Sequence, residues 1–150
     1  MGVGRRRTSR SGDLKVPGYV LLVILAATLA LRASQSTVKD GVYTKAQADG
    51  AKALWEKGCA RCHTLGDLST APADKGPVLS GEAFLTKWNG KTLFELVDGI
   101  QKNMPNDFSM ELTGEQAADV TALILQVNGF PAGAKALAPG DALKQVTIVK

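Results

Sequence analysis

The segment "KGCARCHTLGD", Lys57 to Asp67, holds both cysteines of the chain, Cys59 and Cys62, and its one histidine, His63. Two thiols and an imidazole within five positions are the side chains of this sequence best suited to hold a metal or a prosthetic group. Structural zinc takes four protein ligands. The segment offers three, and the adjacent Cys62 and His63 are badly placed to share one tetrahedron. A dithiol–disulfide redox pair needs no histidine after it and sits at a helix start in a strand-rich βαβ setting, which this sequence lacks. The order C-x-x-C-H fits a third chemistry, covalent attachment of haem. Each thiol adds across one vinyl group, and their three-residue step along a helical turn reaches both vinyls on one edge of the macrocycle. His63 then follows as the proximal ligand to iron. A plain Cys59–Cys62 disulfide beside an exposed histidine is the alternative that a secreted chain would permit.

An iron held by His63 has no second histidine in the chain to complete it. Beyond the N-terminal leader the thioethers are Met104 and Met110. Met104 stands in "NMPND", where the following proline stiffens the backbone and limits the freedom of the sulfur, so it is the expected distal ligand. Met110 is the second choice; most methionines fill gaps in a core.

Short helices and long connections must position these groups. "TKAQADGAKALWEK", Thr44–Lys57, brings Ala48, Ala51, Leu54 and Trp55 to one face and runs into the cysteine pair. Gly50, on the inner side of that helix, suggests close approach by another helix. Thr64–Gly81 is dense in Gly and Pro and predicts a long loop, of the kind that covers something in a small domain. Phe84 and Trp88 follow at helical spacing, with a stop at Asn89-Gly90. Thr92 and Glu95 form a capping box ahead of Leu93, Leu96, Val97 and Ile100, and Met104-Pro105 ends that helix. A second box, Thr113 with Gln116, opens a helix striped by Ala117, Val120, Leu123, Ile124 and Val127, closed by Asn128-Gly129. The tail after Gly133 mixes turn residues with a brief apolar end and is expected to wrap the domain. No alternating strand pattern persists, so the fold class is all-α: short helices with long loops around one haem.

Residues 1–36 are set apart as a signal peptide or membrane anchor, and 37–150 as the folded domain with its extended tail. Arg5, Arg6, Arg7, Arg10 and Lys15 precede an uncharged run, Tyr19–Leu31. Thirteen helical residues rise about 20 Å, short of a hydrocarbon core of roughly 30 Å, which favours a cleaved signal over a permanent span. Ser34 and Ser36 supply the small residues before a cut at Thr37. Removing residues 1–36 takes six of the 18 basic side chains and one of the 14 acidic ones, leaving 12 and 13. The high pI therefore belongs to the leader. The near-neutral remainder has no basic stripe for a phosphate backbone, and nucleic acid is excluded as a partner.

From about Thr44 to Gly133 the chain resembles a class I c-type cytochrome. The resemblance is carried by "ADGAKALWEKGCARCH", "GPVLSG" and "NMPNDFSMELTGEQAADVTALILQVNGFPAG". It implies a single covalent haem c, with Cys59 and Cys62 as thioether anchors, His63 as proximal and Met104 as distal iron ligand. It also implies that the carbonyl of Pro77 accepts from the other ring nitrogen of His63, and that Gly50 crosses the last helix near Val120 and Leu123. Trp88 resembles a haem-edge residue whose indole N–H bonds a propionate; a partly buried core aromatic is the plainer reading of it. "DFSM" after Met104-Pro105 departs from the more Gly- and Pro-rich connection of the family. The ending "FPAG…DALKQVTI" is similar to cytochromes that work with quinoprotein (pyrroloquinoline quinone) dehydrogenases.

With both axial positions filled, the expected function is one-electron transfer in the periplasm, not enzymatic catalysis. Redox proteins are the implied partners, a quinoprotein dehydrogenase as donor and an oxidase or other cytochrome as acceptor; the membrane takes part only if residues 1–36 stay attached. Leu54, Leu65, Leu79, Phe84, Leu93, Leu96, Ile100, Val120, Leu123 and Ile124 are the apolar side chains expected around the ring. A five-coordinate haem acting as gas sensor or peroxidase is the rival function, and requires both Met104 and Met110 to stay off the iron.

Overall fold

The computed structural model describes residues 36–68 and 75–150. The expected signal or anchor over 1–36 therefore lies almost wholly outside the described residues, as does the middle of the loop between Thr64 and Gly81. Among the described residues no helix is long and apolar enough to cross a membrane.

Five helical segments follow the apolar periodicity. α1 (Lys45–Gly50) and α2 (Lys52–Gly58) run on almost continuously through Ala51, with the Thr44 hydroxyl accepting from Gln47 N–H at the start. α3 spans Gly81–Trp88, α4 Leu93–Asn103 and α5 Gly114–Val127. Both predicted capping boxes form. Thr92 Oγ1 accepts from Glu95 N–H at 3.3 Å while Glu95 Oε2 accepts from Thr92 N–H at 2.8 Å. Thr113 and Gln116 repeat the exchange at 3.2 and 2.9 Å. Each pair satisfies amide donors that a helix start otherwise leaves unpaired.

The core lies where α1 and α4 pack on α5, whose buried face runs from Ala117 through Leu125. Ala48, Ala51, Trp55, Phe84, Leu93, Leu96 and Val97 close it from the other helices. Gly50 is not part of this contact. It is exposed, and nothing lies within 4 Å of where its Cβ would stand. Ala48 and Ala51, one turn apart, are the small residues of this stretch that are buried, and the expected close crossing at Gly50 is not formed.

Glycine does set a close contact elsewhere. Gly133 lies so near Gly41 that an added Cβ would fall 1.9 Å from the Gly41 carbonyl oxygen, and Gly133 N–H donates to the Tyr43 carbonyl at 2.6 Å. The tail wraps the domain as expected. Tyr43 Oη donates to the Phe130 carbonyl, Leu137 N–H donates to Gln47 Oε1, and a 3-10 turn at Asp141–Gln145 packs on α4. It ends in a two-residue parallel pair, β1 (Ser36–Thr37) with β2 (Val146–Thr147), in register Ser36 to Val146. Two residues are too few for any alternation to be visible in sequence.

Candidate functional site

Cys59 ends α2 and begins the turn that carries Cys62 and His63. The N–H groups of Cys62 and His63 both donate to the Cys59 carbonyl, at 3.1 and 2.9 Å. This one turn places the two sulfurs and the imidazole on a rigid piece of backbone. The cysteines stand as two separate, half-buried thiols. Burial pushes the Cys59 thiol up to about 11, the neighbouring Cys62 adding to the effect, so near neutral pH it remains S–H.

His63 is set by the loop that returns from residue 75. Its Nδ1 lies 3.0 Å from the carbonyl oxygen of Pro77. Gly76 lets the loop come this close, since a Cβ there would stand 2.8 Å from the Cys62 carbonyl and 3.0 Å from His63 Cε1. The loop is in turn tied to the rest of the domain. Leu79 N–H donates to the Thr64 carbonyl at 2.8 Å, and Gly66 N–H to Ser80 Oγ at 2.9 Å. Asn128 makes the strongest tie: its Nδ2 donates to the carbonyls of Leu79 (2.9 Å) and Ile124 (2.8 Å), and its Oδ1 accepts from Gly81 N–H (2.9 Å). The sequence marks Asn128 as a helix stop, and no local pattern shows that a C-cap side chain will reach back to a loop almost fifty residues earlier.

Two clefts meet at these residues, and both are lined by His63 and Met104. The larger, about 220 Å³, is walled by Pro77, Leu79, Leu96, Ile100 and Ile124, with Trp88 also on its wall. The smaller, about 30 Å³, is bordered by Cys59, Cys62 and the Pro105–Asp107 stretch. Met104 caps α4 in extended geometry, as the following proline requires. Met110 lines neither cleft; it packs on Gly58. Of the ten apolar residues expected around the ring, Leu79, Leu96, Ile100 and Ile124 line the larger cleft. Leu65, Phe84, Leu93, Val120 and Leu123 do not line it and are buried in the core, to which Leu96 and Ile124 also belong, and Leu54 is half-buried against that core. Trp88 is half-buried, its ring 6.3 Å from that of Phe84 and 5.0 Å from the Lys91 ammonium.

Lys87, Gly99 and Asn103 also line the larger cleft and were not singled out by sequence reasoning. Gly99 is the informative one. A glycine inside an exposed helix costs about 1 kcal/mol relative to Ala, yet nothing lies within 4 Å of where its Cβ would project. No crowding within the polypeptide demands it, and the open space it leaves belongs to the cleft.

A mostly helical domain with a C-x-x-C-H turn beside an apolar cleft is a c-type cytochrome domain. Residues 46–124, more than half of the chain, match the family described as Cytochrome C oxidase, cbb3-type, subunit III, and the chain belongs to that family. Comparison with curated proteins and with solved structures returned no match. The cofactor of the family's domain is covalently attached haem c with iron. The residues present suit it: two thiols three apart on one turn, an imidazole oriented by a carbonyl, an apolar cleft and a glycine that leaves the wall of the cleft clear.

Proposed function

We propose that the protein is a periplasmic one-electron carrier of the class I type, with a single haem c tethered by Cys59 and Cys62 and held between His63 and Met104. The observation that carries the reading is that His63 and Met104 line the same two clefts, while Met110 lines neither and packs on Gly58. Bound haem c supplies exchange of one electron between ferrous and ferric iron. The chain's residues prepare the setting. The Pro77 carbonyl engages Nδ1 of His63 and so orients the ring, and Nε2 would be the nitrogen offered to iron. With haem c bound, the thioether of Met104 would favour the ferrous state, and the apolar side chains of Leu79, Leu96, Ile100 and Ile124 would limit water at the ring, which would also raise the potential. Trp88 and Lys87, at the same cleft, are suited to a propionate.

Electron donor and acceptor are redox proteins. A quinoprotein dehydrogenase is the proposed donor, on the likeness of the C-terminal stretch, and a respiratory oxidase or another cytochrome the acceptor. Periplasmic placement follows from the chemistry of attachment, carried out on reduced thiols outside the cytoplasm, and from the signal-like residues 1–36. The test is optical. The denatured chain should retain an absorbing haem by covalent attachment, and the native ferric protein should show a thioether–iron band in the far red that Met104→Ala abolishes and Met110→Ala keeps. Rapid binding of carbon monoxide by the unaltered ferrous protein would instead point to a gas-binding or peroxidase-like role.

A further inference from the structure

We propose that the haem-attachment turn also clamps the loop carrying Met104, through Arg61 and Gly58, and so sets how readily that thioether leaves its place. The inference rests on the His63/Met104 reading above.

Arg61 lies between the two cysteines, on backbone already fixed by the hydrogen bonds to the Cys59 carbonyl. From there its Nη2 donates to Asp107 Oδ2 at 2.9 Å and to Ser109 Oγ at 3.4 Å. The other Asp107 oxygen accepts from Ser109 N–H at 3.1 Å, and Phe108 N–H donates to the Pro105 carbonyl at 3.1 Å. Arg61 therefore grips a closed turn, one to five residues beyond Met104, and not one loose side chain. The second grip is at Gly58, directly before Cys59. A Cβ there would stand 2.7 Å from Met110 Sδ, so the Met110 side chain rests on bare glycine backbone. The segment from Met104 to Met110 is thus fastened in its middle and at its end to the turn that bears His63.

Something in the loop works against this fastening. Phe108 sits at φ +53°, the one positive value among the described non-glycine residues, and its side chain is 88% exposed. An aromatic side chain in the left-handed region is strained, and this one gains nothing from burial in return. Release of the turn relieves that strain, so the grip of Arg61 and the seat of Met110 decide how often the loop opens. Arg61 is a positioning residue on this view: it touches no reacting atom and acts through Asp107 and Ser109.

The test uses the full chain matured with haem. Arg61→Gln and Asp107→Asn should each speed carbon monoxide binding to the ferrous protein by about two- to fivefold at low salt, the range expected for one exposed ion pair. The double variant should do no more than either single one, and Arg61→Lys should restore part of the difference. In about 1 M salt the unaltered protein should approach the variants, because a Debye length near 3 Å screens the pair. Met110→Ala should keep the far-red band and bind carbon monoxide roughly tenfold faster, as loss of a half-buried side chain loosens the loop. Exchange of the Ser109 amide should accelerate in step, while far-UV melting of Arg61→Gln barely moves. Absence of the band in the unaltered protein defeats the ligation reading, and the clamp with it. A band that is present, with ligand-binding and Ser109 exchange rates unchanged in Arg61→Gln and Asp107→Asn, overturns the clamp alone.

Discussion

Nδ1 of His63 and the carbonyl oxygen of Pro77 lie 3.0 Å apart across fourteen positions of sequence, and the loop that makes this possible is held by a residue at the end of α5, Asn128. Asn128→Ala removes the partners of the Leu79 carbonyl and the Gly81 amide at once. A part-buried group left unsatisfied costs about 1–3 kcal/mol, so urea unfolding of the haem-loaded protein should show a loss of that order. The His63 ring proton should exchange faster with solvent in the same variant. Equal loss of stability with unchanged ring-proton exchange would mean that Asn128 steadies the loop without bearing on the imidazole.

Gly99 offers a sharper test of what the larger cleft is for. By helix propensity alone Gly99→Ala should stabilise α4 by about 1 kcal/mol, as no described atom stands in the way. Gly99→Leu should behave differently in the two states of the chain. Without haem its side chain fills open space and is tolerated; during maturation it competes for the wall of the cleft, so the yield of covalently attached haem should fall severalfold. Normal haem content in Gly99→Leu, measured by mass spectrometry, would show that this wall is not the seat of the cofactor.

Much of the architecture was legible because local chemistry and global packing agree. Thr92 with Glu95 and Thr113 with Gln116 declare their helix starts by side-chain pairs three apart, and Met104-Pro105 declares a helix end through the backbone of the residue before proline. C-x-x-C-H is legible for the same reason, since its geometry is contained within one turn. What escaped is long-range. Gly50 is expected at a helix crossing but is exposed, while Ala48 and Ala51 are buried, and periodicity cannot say which small residue of a stretch turns inward. Half of the apolar residues expected around the cofactor are buried in the core without lining the larger cleft, because a hydrophobic stripe records burial and not what it is buried against. Asn128 and Arg61 act on loops nearly fifty residues away, and no spacing rule reaches that far.

Acid should weaken the fold through carboxylates held low by their partners. Glu95 lies below its ordinary range because the Thr92 backbone N–H and then its hydroxyl bond the ionised form, and the Lys45 and Lys52 ammonium groups lower Asp49 to about 2. A carboxyl depressed in the folded state contributes stability above its unfolded value and loses it as pH falls through the folded one. The window for Asp49 therefore runs from about 4 down to about 2. Far-UV unfolding midpoints should decline across that interval, and Asp49→Asn and Glu95→Gln should each flatten the decline while lowering stability at neutral pH. These groups are solvent-exposed, so the differences between variants should be small and should shrink further in high salt. A decline of unchanged steepness in both variants would place the acid sensitivity elsewhere.

Trp55 is the last buried side chain whose polar atom calls for an account. It sits one turn before Cys59, is 1% exposed, and its indole Nε1–H has no hydrogen-bond partner among the described residues. Leaving such a donor dry costs about 1–3 kcal/mol, and the ring nonetheless stays because its area closes the core between α2 and the other helices. Trp55→Phe keeps most of that area and removes the dry donor, so the two changes offset one another and stability should shift by under about 1.5 kcal/mol, as for a volume-tolerated core exchange. Trp55→Ala, which removes the area outright, should cost about 3–5 kcal/mol. Chemical denaturation of the haem-loaded protein distinguishes the cases. If Trp55→Phe is as damaging as Trp55→Ala, the indole N–H has a partner in the loaded protein, and its hydrogen bond, not the ring's bulk, is what the position requires.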